Sequence, residues 1–228
     1  MKDTNMNQKT AIILGATGLT GSLLLKRLIN DDTYKTIKLF SRRKTNIQSS
    51  KIQEFIGDLL QLDQFKTDFI GDEVFCCIGT TKKKTQDKTD YVHIDVGIPE
   101  AAAKLAKANN ISTFVIISAM GASTNSSIFY NHVKGKAEDV VLSQDIENTF
   151  ILRPSLIVGD RKENRTGEAF GVMLMKILNP LMFGPFRKYK SINADIIANA
   201  MQNVVKTKKE KQVFLSDEIE ILARTINS

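Results

Sequence analysis

Ala11-Ile12-Ile13-Leu14-Gly15-Ala16-Thr17-Gly18-Leu19-Thr20-Gly21 is the stretch that decides the fold. Four apolar residues without a polar interruption read as a strand buried on both faces. Gly15 stops that strand, and Leu19 to Asn30 then reads as a helix, with Leu23, Leu24, Arg27 and Leu28 at helical spacing. Glycines at 15, 18 and 21 form a G-x-x-G-x-x-G pattern at the turn between the two elements. The first tolerates the positive φ of a sharp strand-to-helix turn. The second lets the backbone come close to a pyrophosphate, and the third lets the helix lie near the sheet. A helix that opens there offers unpaired N–H groups and partial positive charge to phosphates. Gly15 to Gly21, with Ala16, Thr17, Leu19 and Thr20 between, is therefore the expected cradle of a dinucleotide.

Outward from this loop, short apolar runs alternate with helical patterns. Strands are expected at Ile37–Phe40, Ile52–Ile56, Val74–Ile78, Phe114–Ser118 and Thr149–Leu152, the last stopped by Pro154. Helices are expected at Ile94–Asn109, with Leu105 and Ala108 inward, and at Ser127–Ser143. Continuous apolar strands separated by helices predict a parallel sheet covered on both sides. Right-handed crossovers make it α/β and doubly wound, the Rossmann fold. After Pro154 the alternation weakens. Arg161–Thr166 reads as a loop, Phe170–Leu178 as an apolar helix, Asn193–Val205 as a helix, Gln212–Leu215 as a strand, with a closing helix from Asp217. The whole, 1–228, is expected to be one domain, with 155–228 supplying a small C-terminal cap on the substrate side.

Composition excludes several classes. The chain has 228 residues, 42% hydrophobic and 25% charged, ordinary for a globular protein and short for two full domains. A formal charge of +7 and pI near 9.3 raise nucleic-acid binding. The basic residues are dispersed, however, and Lys82-Lys83-Lys84 and Lys206–Lys211 read as solvated surface, so no nucleic-acid partner is expected. The excess charge suits an anionic ligand instead. Cys76 and Cys77 are adjacent, which excludes a disulfide framework or metal spacing and suits two small residues pointing to opposite faces of a strand. Met1–Thr10 is polar and no apolar run reaches about 18 residues, so neither a signal peptide nor a membrane span is expected, and a cytosolic location follows.

The second expected strand runs into Leu39-Phe40-Ser41-Arg42-Arg43. Enzymes of this fold that prefer NAD place a carboxylate there for the ribose 2′-OH. Two guanidinium groups in its place suit a 2′-phosphate, so NADP(H) is the expected cofactor.

Tyr130-Asn131-His132-Val133-Lys134 is a Y-x-x-x-K pair on the helix after the fifth expected strand. Four-residue spacing puts both side chains on one helical face. A phenol with an ordinary pKa near 10 is a poor acid at neutral pH, and a nearby ammonium lowers that pKa. Tyr130 could then protonate a carbonyl oxygen as hydride reaches its carbon. His93 and His132 lack ligand spacing and read as packed or exposed. Phe129, Phe170, Met173, Met175, Met182, Phe183 and Phe186 are either core or the lining of an apolar substrate pocket.

The glycine loop, Ser41-Arg42-Arg43, Cys76-Cys77-Ile78-Gly79-Thr80-Thr81, Ser118–Ala122, Tyr130–Gly135, Arg153-Pro154 and Gly159-Asp160-Arg161 together resemble one group over roughly residues 10–225. That group is the HIV Tat-interactive protein oxidoreductase-like family of atypical short-chain dehydrogenases/reductases, near the NmrA-like proteins. The resemblance implies NADPH binding and an oxidoreductase activity of undefined substrate. It also implies that Asp58 meets the adenine amino group, that Leu59 packs near the ring, and that Gly79 and Thr80 pass the adenosine ribose. Lys134 would serve both as modulator of Tyr130 and as ribose anchor. One departure stands out: the usual second, catalytic serine is Ala119 here, so either Ser118 or a neighbour such as Ser123 orients a carbonyl, or that role is missing.

Two functions compete. One is an NADPH-dependent reductase of a small carbonyl substrate, using Tyr130, Lys134 and Ser118. The other is a non-catalytic NADP(H) sensor that binds a protein partner, and a homo-oligomer is also compatible. A nucleotide-sugar epimerase or dehydratase shares the motifs but ordinarily has a longer C-terminal domain, and ranks last.

Overall fold

The computed structural model describes residues 8–81, 83, 85–159, 184–206 and 211–225. The expected loop Arg161–Thr166, the expected helix Phe170–Leu178, and Phe170, Met173, Met175, Met182 and Phe183 of the candidate pocket lie outside the described residues.

Among the described residues, seven strands form one parallel sheet. They are β1 (Lys9–Leu14), β2 (Tyr34–Ser41), β3 (Ile52–Ile56), β4 (Glu73–Cys76), β5 (Thr113–Ile117), β6 (Asn148–Arg153) and β9 (Val213–Leu215). Two residues each make β7 (Ile157–Val158) and β8 (Ile192–Asn193), a separate parallel pair. The order across the main sheet is β3-β2-β1-β4-β5-β6-β9, all neighbours parallel. The chain winds outward from β1 through β2 and β3, then crosses back to β4 on the other side. This reversal opens a crevice at the carboxyl ends of β1 and β4, where folds of this type bind ligands.

The central strands are continuous apolar runs because both of their faces are covered. Ile13, Phe75, Val115 and Leu152 pack under α1 (Leu19–Ile29), α5 (Ala194–Val204) and α6 (Ser216–Arg224), through Leu24, Leu28, Ile197, Met201 and Leu222. Ile12, Leu14, Val74, Phe114 and Ile116 pack on the other side, against α3 (Ile98–Ala108) and a 3₁₀ helix at Leu59–Phe65. Cys76 belongs to the second layer and Cys77 packs on the first, so adjacent residues do face opposite ways. The C-terminal residues are built into the sandwich: α5 packs on α1, and β9 extends the sheet beside β6.

The expected helix at 94–109 begins earlier and has three parts. A first segment, α2 (Lys88–Val92), widens into one π turn, His93–Gly97, before α3 continues it. Pro99 supplies a reason, since its ring clashes with the carbonyl four residues back in a regular helix. The inner face of α3 is Ala102, Ala103, Leu105 and Ala106; Ala108, expected inside, is exposed. Asn110 follows at φ 56°, a left-handed stop that an asparagine tolerates. The long helix α4 (Phe129–Leu142) begins two residues later than expected.

Candidate functional site

The crevice is built first from its glycines. Gly15 has φ +84° and a Cβ there would lie 2.7 Å from the Cys77 carbonyl oxygen, so the β1 turn rests directly on the backbone leaving β4. At Gly21 a Cβ would lie 2.2 Å from the Gly15 carbonyl oxygen, so α1 can lie against the turn only without a side chain. The Gly18 N–H donates to the Gly15 carbonyl at 2.9 Å, closing the loop. Ala16, Thr20 and Gly21 are buried, while Thr17 and Gly18 form an exposed tip. No side chain caps α1 at Gly18 and no acidic residue sits in its first turn. An anion can therefore take the N–H groups of that turn. Leu19 packs toward Gly159 on the far side of the loop.

Arg42 and Arg43 leave the carboxyl end of β2 next to this loop. Both are exposed, and neither makes an ion pair with any described residue. Buried Ser41 shapes the turn by donating its hydroxyl to the Arg43 carbonyl at 2.6 Å. Asp58 and Leu59 part company. Asp58 is exposed and accepts the Leu60 N–H at 3.0 Å, capping the 3₁₀ helix. The Leu59 side chain is in the core with Phe40 and Leu62, not open to an adenine.

Gly79, Thr80 and Lys134 converge. The Lys134 side chain is 7% exposed, and its Nζ lies 2.8 Å from Oδ2 of Asp95, a fully buried carboxylate on the π turn. Asp95 Oδ1 accepts the Thr80 N–H at 2.7 Å. A Cβ on Gly79 would stand at ordinary contact distance, 3.5 Å, from Lys134 Nζ, so the ammonium lies against the exposed backbone that follows β4. Burial pulls the Lys134 pKa down, but Asp95, then Tyr130, outweigh it and raise it above the usual lysine value. Tyr130 is 42% exposed one turn earlier on α4, its phenol open to solvent. Tyr91 stands behind, donating to the Thr80 carbonyl at 3.2 Å and stacking edge-on against Phe129. Asp95 is the residue that sequence reasoning missed; a lone carboxylate four places before Pro99 in an apolar helical run was its signal.

Ser118 does not join this group. It is buried and donates its hydroxyl to Glu138, whose carboxylate also takes two hydrogen bonds from Arg153. A serine hydroxyl has one proton, so the Ser118 proton is spent on Glu138 and not on a carbonyl in the crevice. Ser123 Oγ accepts the Asn125 N–H in the loop after β5, and this loop's backbone crosses α4 at Gly135. His132 shares a hydrogen bond with the Thr124 carbonyl, and His93 is exposed. The thiols are quiet: burial pushes Cys76 up to about 11 and raises Cys77 further. Phe186, a pocket candidate, is 62% exposed.

A family model described as NAD(P)H-binding matches residues 15–172, the span from the glycine loop past Arg153. The rat protein HTATIP2 is 33% identical over 171 residues, 73% of this chain and 70% of that protein. The chain belongs to the NAD(P)H-binding family, in the atypical short-chain reductase group of HTATIP2. A second relative, protein FMP52 of Meyerozyma guilliermondii, is 36% identical over 67% of this chain and 66% of its own length. Among solved structures, the Bordetella bronchiseptica enzyme WbmG in complex with NAD superposes with a TM-score of 0.69 at 12% identity, covering 100% of this chain and 81% of that one. This last likeness shows the fold. The FMP52 relatives from several yeasts are named mitochondrial, which overturns the cytosolic location expected from the polar N-terminus. Lack of an apolar leader was the wrong criterion, because organelle targeting does not require one. No helix among the described residues is long and apolar enough to cross a membrane.

Proposed function

We propose that this chain binds NADP(H) and reduces a small carbonyl-type substrate. The observation that carries the reading is the buried Lys134 ammonium, held beside bare Gly79 and one helical turn from the exposed Tyr130 phenol. The exposed tip at Thr17–Gly18 and the uncapped start of α1 fit a pyrophosphate, and the open Gly79 backbone fits a ribose. Arg42 and Arg43 grip the 2′-phosphate with charge-assisted hydrogen bonds, which favours NADP(H) over NAD(H). Asp58 edges the adenine through its exposed carboxylate, while Leu59 stays in the core.

A reduced nicotinamide, when bound, supplies the hydride. Tyr130 donates its Oη proton to the substrate oxygen as negative charge builds there, and the alcohol leaves neutral. Lys134 stabilises the phenolate left behind and gives its remaining N–H donors to the ribose hydroxyls. Solvent returns the proton to exposed Tyr130. Ser118 holds Glu138 and Arg153 in place and takes no part in this step. We read 1–228 as one domain, with 155–228 supplying the substrate side while its β9 and α6 close the sheet. The naming of the fungal relatives supports mitochondria as its place of work.

The missing hydroxyl at Ala119, with Ser118 committed to Glu138, favours a second reading: a non-catalytic NADP(H)-responsive protein acting through a protein partner. A carbonyl panel with NADPH separates the two. Turnover that falls about a hundredfold or more in Tyr130→Phe, with cofactor affinity unchanged, fits the reductase. Tight cofactor binding without turnover fits the second reading, and undiminished turnover by Tyr130→Phe contradicts the role given to Tyr130.

A further inference from the structure

We propose that Asp95 is a positioning residue that ties the nucleotide-side wall to the acid–base side of the crevice through one carboxylate. The inference rests on the reading of Lys134 as cofactor anchor and partner of Tyr130. Its two oxygens have separate tasks. Oδ1 takes the Thr80 N–H at 2.7 Å, which fixes the backbone just past Gly79. Oδ2 lies 2.8 Å from Lys134 Nζ and fixes the ammonium on α4. The carboxylate is fully buried and Lys134 nearly so, so bulk solvent has little access to either partner. Removing one charge from such a pair leaves the other uncompensated.

The π turn is the structural device that makes the link. It widens the helix between Val92 and Ile98 and carries Asp95 inward, while its neighbours Ile94 and Val96 pack on apolar surroundings. In a chain that only needed a packed helix here, an apolar residue would serve better, because a buried ion pair contributes little net stability. The carboxylate is better explained by what it holds.

The ionisable groups around the pair come from three elements. Tyr130 is on α4, Tyr91 is on α2 with its phenol pushed up to about 12 by burial and then by Asp95, and Cys76 ends β4 with its thiol near 11. The raised Tyr91 phenol and Cys76 thiol both keep their protons between about pH 7 and pH 9. The 2′-phosphate is already ionised above about pH 6. Lys134 is thus the group whose titration a cofactor titration over this range would report. With Asp95 present, the ammonium persists and NADPH affinity is flat. With Asp95→Asn, the carboxylate that opposes desolvation most strongly is gone, the ammonium is lost at lower pH, and affinity declines as pH rises.

The test is fluorescence titration of NADPH into wild type, Asp95→Asn, Lys134→Met and the double variant at about pH 7, 8 and 9. For Asp95→Asn the expected result is a loss of affinity of about tenfold across the range, against a change of less than about twofold in wild type. Lys134→Met should be weak at every pH and flat. A folded Asp95→Asn protein with the wild-type profile, beside a weakened Lys134→Met, overturns the role of Asp95 and leaves that of Lys134 standing. If Lys134→Met binds as wild type, the Lys134 reading itself falls. Should Asp95→Asn fail to fold, the double variant decides. Its recovery of a cooperative melt supports a charge-coupled pair, and its failure counts against one and overturns the proposal.

Discussion

Gly21→Ala tests the tightest contact in the crevice. The added Cβ would lie 2.2 Å from the Gly15 carbonyl oxygen and 2.9 Å from its carbonyl carbon, both backbone atoms that cannot swing aside as a side chain can. Ordinary contact requires roughly 1 Å of retreat. Either α1 lifts from the turn or the Gly15 turn lifts from Cys77, and both moves disturb the N–H groups offered to phosphate. Overpacking of this kind costs about 1–3 kcal/mol. For a chain of this size that is a fall in Tm of about 4–8 °C at the middle of the range. NADPH affinity should drop at least about tenfold, since displaced donors lose charge-assisted bonds of about 1.5–3 kcal/mol each. Gly97→Ala is the internal control. It sits in helical backbone with nothing within 4 Å of its Cβ, so alanine should stabilise by about 0.5–1 kcal/mol and leave binding alone. Thermal melts by circular dichroism with and without NADPH read both effects. A Gly21→Ala protein with wild-type Tm and wild-type affinity would refute the reasoning.

Ser118→Ala should cost about 1–2 kcal/mol in urea unfolding by removing a buried donor from Glu138, while turnover changes less than about threefold; a large loss of turnover at unchanged stability would return Ser118 to the chemistry. Replacing Arg42 and Arg43 together with alanine should weaken NADPH by at least about tenfold and leave NADH unchanged, as read by competitive titration. The Asp31 carboxylate predicts an acid dependence of stability. Burial pushes its pKa up, but the Lys206 hydrogen bond, followed by those of Thr33 and Gln202, pulls it well below the usual carboxylate range. A lowered folded-state pKa stabilises above the unfolded value near about 4 and is lost as pH falls below it. The stability gap between wild type and Lys206→Met, measured by urea melts, should therefore be open at about pH 7 and close toward about pH 2.

The sequence was most legible where one physical requirement acted alone. Ile12 to Leu14, Val74 to Cys76 and Phe114 to Ile116 are covered on both faces, and their unbroken apolar character announces it. The glycines at 15 and 21 were readable because their reasons are steric and local. What could not be read depends on distant partners or on phase. Ser118 at the end of β5 looks like a crevice residue until Glu138 and Arg153, brought in by α4 and β6, claim its hydroxyl. Leu59 follows the strand end expected to face an adenine, but the Asp58 cap starts a 3₁₀ helix that turns it into the core. Asp95 was hidden in an alanine-rich helix because a π turn changes which positions face inward, and Ala108 was misplaced inside for want of the same phase. The β7–β8 pair, two residues on each side, is too short for any periodicity to mark.

The central claim is that the start of α1 and the two arginines after β2 hold a 2′-phosphorylated dinucleotide. Isothermal titration of the folded wild-type protein with NADPH and with NADH tests it most directly. The expected result is saturable heat with NADPH and at least about tenfold weaker binding of NADH. No heat with either nucleotide, or equal affinity for both, would contradict it.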